Sequence, residues 1–149
     1  MGSRSVRMHL AGLRKSGLVE TSGDGYVITE KGKENMGFPR VDAVTAERLL
    51  GRVSRDNVFY FYAGIERPLD VSSDGLVDLC EKIKSISVGS IEFHLGRGDF
   101  ESWIRFLGDF ELEKRLNLLR SAGLAGEALR ERLYCTIKSR CDELLRVTA

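Results

Sequence analysis

Glu92, His94, Arg97, Asp99 and Glu101 lie within ten consecutive positions and form the densest set of side chains able to do acid–base or metal chemistry. A carboxylate beside an imidazole can move a proton, and an imidazole with acids can ligate a divalent metal. The segment holds a single imidazole, however, which supplies neither a multi-histidine ligand set nor a base paired with a nucleophile. If residues 91 to 95 are helical, His94 and Glu101 need not point together. Asp99 as a helix cap and Arg97 as a salt-bridge partner account for the pattern without catalysis. No Gly-rich phosphate loop, G-x-S-x-G elbow or H-E-x-x-H pair occurs. The sequence therefore predicts no catalytic residue, no metal and no cofactor, and the chain is not expected to be an enzyme.

The aromatic residues offer a second kind of chemistry. Phe59, Tyr60, Phe61, Tyr62, Phe93, Phe100, Trp103 and Phe106 can pack a core or line a small-molecule pocket. Core packing is the expectation for most of them. Tyr60 and Tyr62 carry hydroxyls that need a partner or water, which makes them the better pocket candidates. The candidate ligand or interaction site is thus Tyr60, Tyr62, Glu92, His94, Arg97, Asp99 and Trp103.

These residues need elements to position them. Asn57-Val58-Phe59-Tyr60-Phe61-Tyr62 is β-branched and aromatic enough for a buried strand, with Gly64 and Pro68 marking a loop after it. Ser72 or Ser73 then opens a helix carrying Leu76, Leu79, Cys80, Ile83 and Ile86 at helical spacing. Residues 90 to 95 alternate as a strand would, but Ser87 and Gly96 bracket them like caps, and a short helix is expected. Asp99 is expected to cap a helix with Phe100, Trp103, Ile104 and Leu107 on one face, ended by Gly108. Asp109 caps the next helix, and Gly123 and Gly126 break it. A last helix from about Glu127 places Leu129, Leu133, Ile137, Cys141 and Leu144 on one face. Upstream, Thr45 is expected to cap a helix bearing Ala46, Leu49, Leu50 and Val53.

The first 36 residues have a different character. Val6, Leu10 and Leu13 repeat at helical spacing, and Gly17 ends that run. Strands over 18–21 and 26–29 flank the turn Ser22-Gly23-Asp24-Gly25. Thr29 caps a short helix over Glu30–Asn35, weakened by Gly32.

At 149 residues, 42% hydrophobic and 30% charged, the composition is that of a soluble globular protein. No apolar run reaches the roughly 20 residues needed to span a bilayer, no signal peptide is evident, and a cytoplasmic protein is expected. Cys80, Cys135 and Cys141 show no C-x-x-C spacing, so neither a disulfide framework nor a zinc knuckle is indicated. The net charge of +1 is unevenly spread. Residues 1–16 carry four basic side chains and no acid, residues 55–113 six basic against twelve acidic, and residues 114–149 eight basic against four acidic. The middle would repel nucleic acid, so any DNA contact falls to the N-terminal helix, helped by the C-terminal one.

The run Ser3-Arg4-Ser5-Val6-Arg7-Met8-His9-Leu10-Ala11-Gly12-Leu13-Arg14-Lys15-Ser16-Gly17-Leu18-Val19-Glu20 resembles the recognition helix and its exit in winged-helix transcription regulators of archaea and bacteria. Tyr26-Val27-Ile28-Thr29-Glu30-Lys31-Gly32 resembles the pattern with which such regulators leave their wing. In that family two helices precede the matching segment, whereas here only Met1 and Gly2 do. The resemblance therefore implies a partial winged helix. It implies base-edge or phosphate contacts for Arg4, Arg7, His9 and Arg14, with Lys15 and Ser22 close to the DNA backbone.

Residues from about Thr45 to Val147 resemble a largely archaeal domain family of uncharacterised function. That likeness rests on Phe59-Tyr60-Phe61-Tyr62-Ala63-Gly64, on Ser90-Ile91-Glu92-Phe93-His94-Leu95-Gly96-Arg97-Gly98-Asp99-Phe100-Glu101-Ser102-Trp103-Ile104, and on Leu107-Gly108-Asp109. It implies no activity.

The sequence thus predicts a mostly helical α+β protein. Residues 1–36 would form a partial winged-helix module of helix, β-hairpin and short helix. Residues 37–44 would be a linker, and residues 45–149 a helical domain with one aromatic strand. The expected function is that of a winged-helix regulator whose second domain senses a ligand or self-associates. Its partners would be double-stranded DNA, a second copy of the chain, and a small ligand or protein. The alternative is a protein-interaction or small-ligand-binding module that no longer binds DNA.

Overall fold

The computed structural model describes residues 14–17, 19–22, 25–38 and 40–149. The fold is α+β and mostly helical. The chain divides into two compact units, Met1–Arg40 and Val41–Ala149.

In the first unit, Arg14 and Lys15 are helical and exposed, and Gly17 takes the left-handed conformation (φ 76°) that a side chain would resist. Strands β1 (Val19–Ser22) and β2 (Gly25–Ile28) pair antiparallel, with Val19 opposite Ile28 and Ser22 opposite Gly25. Thr29 accepts a hydrogen bond from the Gly32 N–H (3.1 Å) at the start of α1 (Glu30–Asn35), the cap its position predicts. Lys31 Nζ donates to the Ser16 carbonyl (2.9 Å). The Gly23-Asp24 turn, the helical face Val6, Leu10 and Leu13, and the DNA-contact candidates Arg4, Arg7 and His9 lie outside the described residues.

The second unit opens with α2 (Ala43–Leu50). Its cap is Asp42, whose carboxylate accepts from the Thr45 N–H (2.8 Å); Thr45 itself is the third helical residue. The helix therefore starts two residues before Thr45, with the carboxylate taking the N–H of its third residue. A 3₁₀ turn (Arg55–Asn57) leads into β3 (Phe59–Tyr62). The expected loop and helix start after it are corrected, because Pro68–Ser73 forms a second strand, β4, antiparallel to β3. Pro68, which lacks an N–H, takes the first strand position, where no ladder bond is lost. Leu69 and Val71 pack against the core. Tyr60 pairs with Ser72 and Tyr62 with Pro68, so β4 bulges between these pairs, around Asp70 at φ 56°.

Ser72 and Ser73 are therefore strand residues, and α3 (Leu76–Ile83) starts after Gly75. A Cβ on Gly75 would sit 3.0 Å from the Gly51 carbonyl oxygen, which fixes glycine at this crossing. Ser87 caps α4 (Val88–Arg97) through the Ser90 N–H (3.3 Å), resolving the ambiguous segment as a helix. The helix passes Gly96 and ends at the left-handed Gly98. Then come α5 (Asp99–Leu107), α6 (Phe110–Ser121) and α7 (Gly126–Thr148). At 23 residues, α7 is about 35 Å long and contacts α2, α3, α4 and α6. Leu133, Ile137 and Leu144 on α7 meet Leu79, Ile83, Ile91, Phe100, Ile104, Leu112 and Leu116 in one buried cluster. Among the described residues no helix is long and apolar enough to cross a membrane.

Candidate functional site

Strand alternation sends Phe59 and Phe61 into the core and leaves Tyr60 54% exposed. Phe59 is the centre of an aromatic cluster. Its ring stacks on Phe100 (5.1 Å between centroids) and meets Phe61 (5.1 Å), His94 (4.9 Å) and Trp103 (5.7 Å) edge to face. Trp103 is fixed by its indole N–H, which donates to the Asn57 carbonyl (2.9 Å). Above this cluster the β3–β4 hairpin and the end of α4 enclose a cleft of about 320 Å³. Its walls bring together six of the seven predicted ligand-site residues: Tyr60, Tyr62, His94, Arg97, Asp99 and Trp103.

His94 is 2% exposed and both of its ring nitrogens are engaged. The Tyr62 backbone N–H donates to Nε2 (2.8 Å), so Nε2 must be unprotonated, and the proton resides on Nδ1, which donates to Asp99 Oδ2 (2.8 Å). This pins β3 to the α4–α5 corner. Burial pushes the imidazole below its ordinary value and outweighs the opposing pull of the Asp99 carboxylate. Neutral and doubly bonded, His94 has no lone pair or proton free for a substrate.

Asp99 corrects the expected cap. It is the first residue of α5, and the position before it is Gly98, which has no side chain to cap with. The carboxylate turns instead to the His94 Nδ1–H, and Arg97 Nε lies 3.5 Å from the same oxygen. Arg97 also lies over the Phe93 ring, 4.9 Å from its centroid, with its side chain 55% exposed. Glu92 stands apart from the cleft, its Oε1 accepting from the Gly126 N–H (3.3 Å) at the start of α7, where the helix dipole favours an anion. Glu101 also points elsewhere. It is 5% exposed, with Oε2 3.6 Å from Arg120 Nη1 and Oε1 unpartnered. Burial raises its pKa, against the pull of Arg120.

The hairpin tip adds two lining residues that the sequence did not single out, Ile65 (76% exposed) and Glu66. The tip is closed by the Arg67 N–H on the Gly64 carbonyl (3.1 Å) and the Ala63 N–H on the Arg67 carbonyl (2.8 Å). Glu66 holds a left-handed backbone (φ 58°), uncommon for a residue with a side chain and a feature that gathers at ligand sites. The signal is its place in a five-residue gap between an aromatic strand and a proline, which is legible only as a loop.

A second polar cluster was also missed. Arg140, on the apolar side of α7 and 3% exposed, makes a two-pronged pair with Asp109 (Nε to Oδ2 2.8 Å, Nη2 to Oδ1 3.0 Å). Its Nη1 reaches Glu111 (3.0 Å) and Glu143 (3.2 Å), and Arg115 bridges the same two glutamates (2.7 and 2.9 Å). Asp109 does cap α6 as its position predicts, accepting from the Leu112 N–H (3.1 Å), but it is also the buried anchor of this network.

Among the described residues no set of three or more His, Cys, Asp or Glu converges as a metal site. Cys80 and Cys141 are buried, which pushes their thiols up to about 11 and about 12, while Cys135 is exposed. Arg14 and Lys15 are exposed in the first unit, and Ser22 lies on β1. No protein-family model, no curated protein and no solved structure matches the chain.

Proposed function

We propose that the chain is a regulator-like binding protein whose second unit takes a small organic ligand in the Tyr60–Trp103 cleft. The observation that carries this reading is the division of labour within the cleft. His94 and Asp99 are held in a brace, whereas Tyr60, Tyr62, Glu66 and the terminal nitrogens of Arg97 make no hydrogen bond to any described residue through their side chains. Aromatic walls with a few unfilled polar groups, in a volume near 300 Å³, suit a small ligand. The engaged imidazole supports binding over catalysis, since neither nitrogen can take or give a proton without breaking the brace.

Two-dimensional amide NMR of the full chain with pools of small polar aromatic and amine fragments tests this. The reading predicts shifts concentrated on Tyr60, Tyr62, Phe93, Arg97 and the Trp103 indole, and weakened in Tyr60→Ser. Shifts that scatter elsewhere, or no shifts at millimolar fragment, would overturn it.

The first unit is assigned the DNA contact in the same proposal, supported by the exposed basic pair Arg14 and Lys15 directly before an antiparallel hairpin. A cytoplasmic setting and pairing of two copies on successive grooves belong to this reading. Salt-sensitive binding of a labelled duplex, lost in Arg14→Ala/Lys15→Ala, is the expected result. Absence of binding at low salt would leave the cleft as the protein's functional site.

A further inference from the structure

The charges around the cleft select among ligand classes. Glu66 and Asp99 line it as carboxylates, Arg97 is its guanidinium, and His94 is held neutral by its two hydrogen bonds. The lining therefore carries one more negative than positive charge. Arg97 is already matched, with Nε 3.5 Å from Asp99 Oδ2 and its plane over Phe93. An incoming anion could reach the terminal nitrogens of Arg97 only while facing both Asp99 and Glu66. Glu66 itself forms no ion pair with any described residue, is exposed, and is held at the hairpin tip by a backbone conformation rare outside glycine.

The uncharged walls point the same way. Tyr60, Tyr62 and Trp103 present aromatic surface to the cleft, and the negative face of an aromatic ring attracts a cation. Arg97 over Phe93 shows the same contact already made within this site. A compact, weakly hydrated cation gains most from such walls, since it gives up little solvation on entering.

Resting on the reading of the cleft as a ligand site, we infer that its ligand is an organic ammonium, a quaternary or alkylated amine on a small molecule. Its cationic head lies against Tyr60, Tyr62 and Trp103, and Glu66 supplies the countercharge.

Trp103 is the chain's single tryptophan and lines the cleft, so its emission reports occupancy directly. Three probes of closely similar branched shape separate the possibilities at constant ionic strength. Choline carries the cation, 3,3-dimethylbutan-1-ol replaces its nitrogen by carbon, and 3,3-dimethylbutanoate carries an anion. The expected result is a saturable change with choline, about tenfold weaker with the alcohol and absent with the acid. Glu66→Gln, at an exposed position, should weaken choline about fivefold and leave the alcohol unchanged. Equal or tighter binding of the alcohol or the acid would overturn the ammonium assignment while leaving a ligand cleft in place. Silence with all three probes would overturn the assignment outright, and the fragment shifts on Tyr60 and Trp103 then decide separately whether the cleft binds anything.

Discussion

The Arg140 network and the Phe59 cleft each gather charged side chains in the second unit, but they leave them in opposite states. Around Arg140 every carboxylate meets a guanidinium within 3.2 Å, and the side chains of Arg140 and Asp109 are 4% and 0% exposed. Around the cleft the inner pair, His94 and Asp99, is satisfied, while the outer groups Tyr60 and Glu66 are exposed and make no side-chain hydrogen bond or ion pair to a described residue, and exposed Arg97 is held only through Nε and its face. Buried, fully paired charges hold helices in register and have nothing left to offer a ligand. Exposed, underused groups over an aromatic floor contribute little to stability, and the proposed ligand would use them. The contrast separates charge consumed by the fold from charge left at its surface, in a protein where both kinds of residue look alike in the sequence.

The comparison breaks most visibly at Arg140. Arg140→Met should destabilise the fold by about 3–5 kcal/mol in urea unfolding, because it strands Asp109 as a buried anion without a guanidinium and removes one of the two guanidinium partners of Glu111. Choline affinity of the folded fraction should stay within about twofold. A loss below about 1 kcal/mol would mean that the network is not the buried anchor its geometry indicates.

His94→Phe should have a smaller effect, about 1–3 kcal/mol. The ring contacts with Phe59 and Phe100 can persist, but the Tyr62 N–H loses its acceptor and Asp99 its donor.

The gentlest perturbation is protonation of the same ring. Its native pKa is lowered, so below the ordinary imidazole value of 6.5 the unfolded chain takes up the proton before the native one does. Stability contributed by neutral His94 is therefore complete above pH 6.5 and falls as pH drops from there towards the lowered native value. Glu101 works in the opposite sense, since its raised pKa gives the native state an extra proton above the ordinary carboxylate value of 4.5. Subtracting the profile of His94→Phe from that of the native chain isolates the histidine. A flat difference between pH 5 and 7 would contradict the buried, neutral assignment.

Much of this was legible in the sequence, for local reasons. Asp109 and Thr29 cap as their spacing indicates, and the apolar face of α7 runs through Leu129, Leu133, Ile137, Cys141 and Leu144 as its period requires. Six of seven candidate ligand residues converge because β3 and the α4–α5 corner are fixed to each other by His94, a link that neither segment reveals alone. Glu92 was misplaced because one helical step turns it to α7 instead of the cleft. β4 was hidden by Pro68 and Asp70, residues that strands disfavour and that a first position and a bulge accommodate. Arg140 was hidden because an arginine on a basic helix reads as solvated, and its partners Glu111 and Asp109 lie 29 and 31 residues away.

His94 as a brace is what leaves the outer groups of the cleft for the proposed ligand. Long-range proton–nitrogen NMR of the two imidazoles, His9 and His94, tests this directly above pH 6.5, where the lowered pKa leaves His94 neutral. The predicted spectrum shows one ring neutral, protonated on Nδ1, with a hydrogen-bonded Nε2 and an Nδ1 proton protected from solvent exchange. If instead His94 is an imidazolium, or carries its proton on Nε2, then Tyr62 and Asp99 cannot both hold it. The division of the site into a locked interior and an open rim would fail with it.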